Sequence, residues 1–533
     1  MKKVKKIWKY YQHHGLKLLI MKIFNRYHEK TVDYMKWLEK NGANETTLEN
    51  QSQKIFETKV TISIAVPTYH TPEKFLREMI ESVQKQSYVD WELCIADGSK
   101  ELDVYHIIQE YAKKDSRIKV KKLTKNKGIA ENTNEALNMC TGEYVGLLDH
   151  DDILAFDALY EIRCAIDENN NPEIIYTDED KMSMDGTIYF DPHFKSDFNK
   201  ELLRSNNYIC HLFVVSRSVL QRVGGLCEEY DGAQDYDFIL RCTECADSIV
   251  HVAKPLYHWR SHTASTAENP ESKLYAYESG KKAILAHLSR QGEKGVVKHA
   301  DSFGFYHVRY KLKAQDRITI IIVKSSKRHV NTQVKKCIKS IKKTIGYTNY
   351  HVLVVDRLSD LRIADIEGKY ILLVNSTISM ISHGWIKEML GNCQRDYIGA
   401  VGIKLYNKNE TIRHGGIISG LQNYAFEGLP RVSYGYFHRD SIMQYLSAVT
   451  TDFMMVPLDV FLEIYKNYPK CMVNERSFCR KIREMGKEIV YNPCVEAYIF
   501  GESSRGVIDF YRDRYYNDNL SLKASGYSIE IDE

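Results

Sequence analysis

Two stretches of this chain open in the same way, with an apolar run, a helix-length segment and a second apolar run that leads into aspartate. In the first stretch Val60 lies 37 residues before Asp97, and in the second Ile318 lies 38 residues before Asp356. Continuous β-prone apolar runs are typical of strands buried in parallel sheets. Their recurrence at nearly constant spacing indicates a tandem duplication. The 533 residues are therefore predicted to form an α/β protein with two tandem, Rossmann-like domains and mostly parallel sheets.

The domain boundaries are predicted from these apolar runs. A basic, helical extension is expected over residues 1–58, a first domain over 59–300 and a second over 316–533. Later landmarks repeat as well, because TGEYVGLLDHD at 141–151 aligns with EGKYILLVNST at 367–377.

The second copy is shorter than the first between equivalent landmarks. In the first copy 52 residues separate Asp97 from Asp149, whereas 19 separate Asp356 from Asn375 in the second. The second copy is therefore expected to lack a segment that includes the counterpart of the loop at 126–137.

Charge is concentrated at one end of the chain. The net charge is +4, but residues 1–30 hold eight lysines and one arginine against the single acid Glu29. Such a segment suits either an anionic membrane surface or packing against the protein body, and both alternatives stay open. The remainder lacks the basic excess of a nucleic-acid-binding protein, so no nucleic acid partner is expected. No apolar stretch approaches the ~20 residues needed to cross a bilayer, and scattered cysteines favour a reducing, cytoplasmic location.

Acidic residues follow two of the predicted strands. Asp97 ends the second strand, and Asp149 and Asp151 flank His150 after the strand at 144–148. Because ligands of open α/β sheets bind beyond the carboxyl ends of strands, these acids are candidates for contacts to a nucleoside and to a divalent cation. A helix cap at Asp97 and a solvated turn at 149–152 are the alternative interpretations.

Two further segments carry candidate site residues. In NKGIAENTNEAL, at 126–137, Gly128 permits an unusual turn before a helix whose amino end can hold phosphate or a nucleoside. In GAQDYD, at 232–237, a carboxylate at a helix start can take a proton from an acceptor hydroxyl. His258 follows a predicted strand and is a candidate for metal or phosphate contact, although a single histidine is more often structural.

Six ordered motifs resemble the bacterial family 2 glycosyltransferases. They are IAVPTYH at 64–70, IADGS at 95–99, NKGIAENTNEAL, LLDHDD at 147–152, GAQDYD and LYHWR at 256–260. The resemblance implies the GT-A fold, a UDP- or dTDP-sugar donor, Mn²⁺ or Mg²⁺, and inverting transfer of a hexosyl or rhamnosyl group. The implied acceptor is a growing surface polysaccharide or lipid-linked glycan at the cytoplasmic face of the plasma membrane.

The family's site residues carry over onto matching positions of this chain. Asp235 would be the general base, and Asp149, Asp151 and His258 the metal-binding residues. The residues that the resemblance assigns to donor binding are Pro67, Tyr69, Asp97, Asn126, Gly128, Asn132, Asn134, Asp149 and His150.

The second copy departs from this pattern. Its metal positions align with Asn375 and Thr377, and its base position aligns with Glu475. An amide and a hydroxyl do not replace two carboxylates at a divalent ion, so this copy is expected to be catalytically silent and to hold acceptor glycan or a partner. Two alternatives remain: a bifunctional polymerase in which both copies are active, and a non-catalytic glycan-binding scaffold.

Overall fold

The computed structural model describes residues 34–261, 274–325, 330–501, 511–523 and 525–529. Within these ranges the chain divides into two compact units. The first unit contains residues 34–198 and 206–306, and the second contains 199–205 and 307–529. The basic segment at residues 1–30, for which a membrane contact is predicted, lies outside the described residues. None of the described helices is long and apolar enough to span a membrane.

Helices and strands alternate through most of both units. The helices are α1 (Tyr34–Asn41), α2 (Glu45–Ser52), α3 (Glu73–Gln84), α4 (Asp103–Ala112), α5 (Ile129–Leu137), α6 (Ala158–Glu168), α7 (Lys200–Ser205), α8 (Arg217–Val223), α9 (Gln234–Cys245), α10 (Leu274–Arg290), α11 (Val330–Thr344), α12 (Trp385–Cys393), α13 (Leu458–Asn467) and α14 (Glu475–Glu484). The strands of the first sheet are β1 (Ile62–Thr68), β2 (Trp91–Asp97), β3 (Ile118–Lys122), β4 (Tyr144–Leu147), β5 (Ile153–Leu154), β6 (Ile174–Met182), β7 (Tyr189–His193), β8 (Phe213–Ser216) and β9 (Ile249–Arg260). A two-stranded sheet follows, formed by β10 (Gly295–His299) and β11 (Tyr306–Tyr310). The strands of the last sheet are β12 (Ile318–Val323), β13 (Tyr350–Val355), β14 (Tyr370–Asn375), β15 (Ile378–Met380), β16 (Ile398–Tyr406), β17 (Ile412–His414), β18 (Gln444–Tyr445), β19 (Phe453–Pro457) and β20 (Glu488–Ile499).

The first sheet has the strand order β3-β2-β1-β4-β8-β6-β9-β5, with β7 paired to β6. Its half from β3 to β4 is parallel, whereas β8 runs antiparallel to both β4 and β6. Helices α3 and α6 and the buried side chains of β1 and β2 contribute to one continuous apolar core. The parallel half therefore brings the carboxyl ends of β1, β2 and β4 to a common edge.

The second sheet repeats this topology. Its order is β13-β12-β14-β19-β16-β20-β15, which reproduces β2-β1-β4-β8-β6-β9-β5 position by position. The strand directions also agree. Strand β14 is antiparallel to β19, as β4 is to β8, and β16 is parallel to β20, as β6 is to β9. The predicted α/β class with two sheet-containing domains is thereby confirmed.

The segment missing from the second copy can now be identified in the fold. Residues 98–143 of the first unit contain α4, β3 and α5, whereas residues 356–369 of the second contain two short 3-10 turns. The second sheet consequently ends at β13, where the first sheet continues to β3.

Candidate functional site

The carboxyl ends of β1 and β2 are joined by side-chain hydrogen bonds. Thr68 and Asp97 are register partners, and the Thr68 hydroxyl donates to Asp97 Oδ1 over 3.2 Å. The backbone N–H of Ser99 donates to the same oxygen over 2.9 Å, and Lys122 Nζ lies 2.8 Å from Oδ2. Asp97 is fully buried, so Lys122 at the end of β3 compensates its charge. The motif analysis identified Asp97 but missed Lys122, which lies in no motif.

The predicted donor loop folds as a tight turn before α5. Gly128 adopts φ +97°, and Asn126 Oδ1 accepts hydrogen bonds from Gly128 N at 3.0 Å and Asn132 Nδ2 at 2.8 Å. Asn132 in turn packs against Gly98, where an added Cβ would lie 2.6 Å from Asn132 Nδ2. The loop is thus fitted closely to the turn that follows Asp97.

Asn134 has a different environment from the other loop residues. Its Nδ2 donates to Leu226 O over 2.9 Å, and its Oδ1 accepts from Leu226 N over 2.8 Å. Both ends of the amide therefore connect α5 to the segment before α9, and we leave Asn134 out of the donor contacts proposed below.

Two predicted donor residues lie at the end of β1. Pro67 is opposite Ala96 of β2, within the parallel ladder. The Tyr69 side chain is 47% exposed, and its ring meets that of His70 edge to face at 4.3 Å. An exposed aromatic ring at this edge of the sheet offers an apolar face on which a planar group can stack.

The acidic turn after β4 contains carboxylates with different environments. Asp149 is exposed and Asp151 half-buried, whereas Asp152 is fully buried. Asp152 accepts hydrogen bonds from the Tyr257 hydroxyl at 2.6 Å and from Arg260 N at 2.7 Å. Burial, reinforced by the neighbouring negative charges, raises the pKa of Asp152 well above its usual value. Asp152 is therefore part of the internal structure, and Asp149 and Asp151 are the candidates for binding a cation.

The two histidines predicted for the site are separated from each other. His150 belongs to the acidic turn, and its Nδ1 is buried without a hydrogen-bond partner in the described part of the chain. His258 Nδ1 instead lies 2.6 Å from Asp180 Oδ1. Tyr257 contacts Asp149 N at 3.3 Å, and the Arg260 guanidinium reaches the same turn at Asp151 O over 2.7 Å. Because side chains from both faces of β9 contact the turn, the assignment of His258 as a metal ligand stays a prediction.

Helix α9 begins with two acids that have separate partners. Asp235 is half-buried, and its Oδ2 accepts a hydrogen bond from Asn207 Nδ2 over 3.0 Å. Asp237 is fully buried and accepts a hydrogen bond from Arg241 Nε over 2.7 Å. Burial raises the pKa of Asp235, and the charge of His211 partly offsets that increase. A half-buried carboxylate with a raised pKa is suited to accept a proton.

His211 is a residue of this region that the motif analysis did not name. Its ring stacks on Tyr257 with 4.6 Å between centroids and 13° between planes. Its Nδ1 lies 3.0 Å from Oε2 of Glu179, on β6. Neither His211 nor its partner Glu179 lies in any of the six motifs, so the sequence carried no direct signal for this pair.

The second unit has different chemistry at equivalent positions. By register, Asn375 occupies the position of Asp149 and Asp452 that of His211. Asn375 Nδ2 donates to Asp452 Oδ1 over 2.8 Å, and Asn375 Oδ1 accepts from Thr377 N over 3.0 Å. Glu475 begins α14, is buried, and has a pKa raised to about 7 by that burial.

Comparison with known proteins locates a family within the first unit. Residues 63–224 match the profile described as Glycosyl transferase family 2. The chain is 32% identical over 534 residues to the uncharacterized protein y4gI of Sinorhizobium fredii, which covers 88% of this chain and 58% of that protein. It is 30% identical over 467 residues to the O-antigen biosynthesis protein RfbC of Myxococcus xanthus, covering 80% of this chain and 36% of that protein. Chondroitin synthase of Escherichia coli is 28% identical over 207 residues, or 39% of this chain and 30% of that protein. The chain thus spans less than two thirds of the length of each of these relatives.

Proposed function

Because residues 63–224 match the Glycosyl transferase family 2 profile, we propose that this chain transfers a sugar from a nucleotide-sugar donor to a growing surface polysaccharide or its lipid-linked precursor. The observation that supports the proposal is that Asp97 and the acidic turn lie at the carboxyl ends of the parallel strands β2 and β4, and that burial, together with the charge of Asp149, raises the pKa of Asp235. The relative named as an O-antigen biosynthesis protein supports a polysaccharide as acceptor.

The donor is proposed to bind at the ends of β1 and β2. Asp97, compensated by Lys122, is placed to accept hydrogen bonds from the nucleoside of a UDP- or dTDP-sugar. Tyr69 offers an exposed ring for stacking, and the turn at Gly128 brings the amino end of α5 to the same edge. Hexosyl and rhamnosyl donors both agree with this arrangement.

A divalent cation, Mn²⁺ or Mg²⁺, is proposed to bind through Asp149 and Asp151. These two residues fit such an ion, because hard carboxylate oxygens are the ligands that these metals prefer. The third carboxylate of the turn, Asp152, already accepts hydrogen bonds from Tyr257 and Arg260 and is not proposed as a ligand. When bound, the cation supplies positive charge that offsets the charge of the departing nucleoside diphosphate.

Transfer is proposed to be a single displacement with inversion. Asp235 accepts the proton of the acceptor hydroxyl while that oxygen forms a bond to the anomeric carbon of the donor sugar. The bond between this carbon and the diphosphate oxygen breaks, and its electron pair leaves with the diphosphate. Asn207 holds the Asp235 carboxylate in place through its hydrogen bond at 3.0 Å.

The second unit is proposed to be catalytically silent and to bind acceptor glycan. The Asn375 amide donates a hydrogen bond to Asp452 and accepts one from Thr377 N. The polar side chain at the counterpart of Asp149 is therefore hydrogen-bonded within the second unit. A bifunctional polymerase would require Glu475 for normal product, whereas a glycan-binding scaffold would bind glycan without dependence on donor or metal. Peripheral attachment to the inner face of the plasma membrane through residues 1–30 remains a proposal that deletion of this segment and membrane fractionation would test.

The proposed function is tested with purified full-length chain, a panel of nucleotide sugars and added Mn²⁺ or Mg²⁺. We expect Asp149→Asn, Asp151→Asn and Asp235→Asn each to reduce transfer at least 100-fold, because each removes a charge required at the reacting centre. Glu475→Gln is the matched control in the second unit and is expected to leave rate and product unchanged. Unaltered transfer in the Asp149 and Asp151 variants would contradict the proposed metal site.

A further inference from the structure

A polar cluster around Glu179 has no role in the function proposed above. Glu179 Oε2 lies 3.0 Å from His211 Nδ1 and 3.5 Å from Lys195 Nζ, and Oε1 lies 3.2 Å from His193 Nδ1. Burial alone would raise the pKa of Glu179, but Lys195 and the two histidines outweigh it and hold the pKa well below its usual value. The cluster thus contains an ionised carboxylate surrounded by three basic side chains.

The His211 ring has a fixed orientation within this cluster. Its face lies on Tyr257, and its Nδ1 points to Glu179. Tyr257 in turn contacts the acidic turn, through Asp149 N at 3.3 Å and the Asp152 carboxylate at 2.6 Å. Because Nδ1 is engaged, Nε2 on the far edge of the ring is the atom that His211 has available for another ligand.

The charge of His211 acts on the proposed transfer site. Burial would lower its pKa, but Cys210 and Glu179 outweigh burial and hold the pKa well above its usual value. The imidazolium lowers the pKa of both Asp235 and Asp152, so it lies within electrostatic range of each. A fixed cation among these acids supplies a charge complementary to an anionic ligand.

We propose that His211, held by Glu179, is a further residue of the transfer site, and that its Nε2–H donates a hydrogen bond to the diphosphate of the donor. This inference rests on the proposed function. In this arrangement His211 provides a second positive charge, in addition to the proposed metal, beside the diphosphate of the donor. The negative charge of the diphosphate increases as the sugar leaves.

Metal coordination by the same cluster is less consistent with its contacts. Ligand atoms of Glu179, Cys210 and His211 lie within 4.8 Å of one another. However, Lys195 is fully buried beside Glu179 and would repel a cation.

The test uses substitutions that separate the two ring nitrogens. The amide of His211→Asn can keep the hydrogen bond to Glu179 while removing Nε2, whereas His211→Gln extends a donor toward the position of Nε2. Glu179→Gln removes the charge that holds the imidazolium. His193→Asn is the matched control. His193 contacts the same Glu179 carboxylate as His211, but Tyr257 stacks on His211.

Binding is measured by calorimetry with UDP, dTDP and their monophosphates, with Mn²⁺ present. We expect His211→Asn to weaken diphosphate binding about 10-fold to 100-fold and monophosphate binding less than about 3-fold, since a hydrogen bond to a charged group is lost for the diphosphate alone. His211→Gln should recover part of this loss, Glu179→Gln should show a smaller loss of the same kind, and His193→Asn should match the wild type.

Two outcomes would overturn the assignment of His211. One is an equal loss for mono- and diphosphates, and the other is unchanged diphosphate binding with a raised KM for acceptor, which would place His211 on the acceptor side. Absence of nucleotide binding by the wild-type chain is a distinct result, because it would contradict the proposed function before any variant is compared.

Discussion

Helix α7 is expected to depend on one buried carboxylate for its place in the second unit. Glu201 is fully buried and lies 3.0 Å from Arg204 Nη1, and it also pairs with Arg395. The Tyr310 hydroxyl donates to Glu201 over 2.9 Å. Both arginines are buried. Glu201→Gln would replace the carboxylate between their guanidinium groups by a neutral amide and so leave two buried positive charges without a negative partner at this position.

We expect this substitution to lower the free energy of unfolding of the second unit by about 3–5 kcal/mol, which is typical when one partner of a buried ion pair is removed. The hydrogen bond from Tyr310 can be retained by the Gln carbonyl, so the lower end of the range is favoured. Native-state hydrogen exchange, followed separately in peptides from β16 and from β1, would measure the loss and assign it to a unit.

The matched control is Glu135→Gln, which removes a carboxylate paired with Lys121 and Lys127 near the surface. Because both lysines are largely exposed, this change should cost less than about 1 kcal/mol. A loss below 1 kcal/mol for Glu201→Gln, or one confined to peptides from β1, would refute the reasoning.

Other sites give predictions of different kinds. Burial raises the pKa of Asp235, and a general base acts only when it is deprotonated. We therefore expect kcat/KM to fall as the pH decreases, with an apparent pKa above that of an ordinary aspartate. The residual activity of Asp235→Asn should lack this pH dependence. Glu475 has a pKa raised to about 7, so the folded state binds more protons than the unfolded state between roughly pH 4.5 and 7, and its contribution to stability falls as pH rises through that window. Glu475→Gln should therefore gain stability relative to wild type by up to about 3 kcal/mol between these pH values in urea unfolding, and a constant difference would contradict this assignment. Gly98→Ala places a methyl group 2.6 Å from Asn132 Nδ2 and should lower stability by about 1–3 kcal/mol in thermal unfolding, with recovery in the double variant that also carries Asn132→Ala.

The repeated architecture could be predicted from the sequence because it depends on periodic, local signals. The second apolar run of the two copies is observed as β2 and β13, and the helix-length segment between the two runs is observed as α3 and α11. Burial on both faces of a parallel sheet produces continuous apolar runs, which are visible without any knowledge of tertiary contacts. The assignment of residues 199–205 to the second unit has no such signal, since it depends on partners such as Arg395 that are distant in the sequence.

The candidate site could be predicted in part for the same reason. Asp97 was identifiable because it ends β2, Asp149 because it lies two residues after β4, and Asp235 because it lies in the first turn of α9. His258 and Asn134 were assigned from short motifs, and both assignments stay predictions, because the face of a strand and the partner of an amide depend on neighbouring elements. His258 pairs with Asp180 on the adjacent strand, and this contact cannot be inferred from LYHWR alone.

The proposed silence of the second unit depends on more than the loss of two carboxylates. In the first unit Asp149 lies two residues after Leu147 and His211 two residues before its register partner Phe213, whereas in the second Asn375 hydrogen-bonds to the acidic Asp452. Restoring aspartate at Asn375 would therefore place a carboxylate against the carboxylate of Asp452, and the pair would tend to share a proton rather than ionise fully. The counterpart of Lys122 is absent as well, because the second sheet has no strand beyond β13 in its described part. Under this proposal, catalysis by the second unit would require changes at positions 375 and 452 together with the missing segment, which single substitutions do not supply.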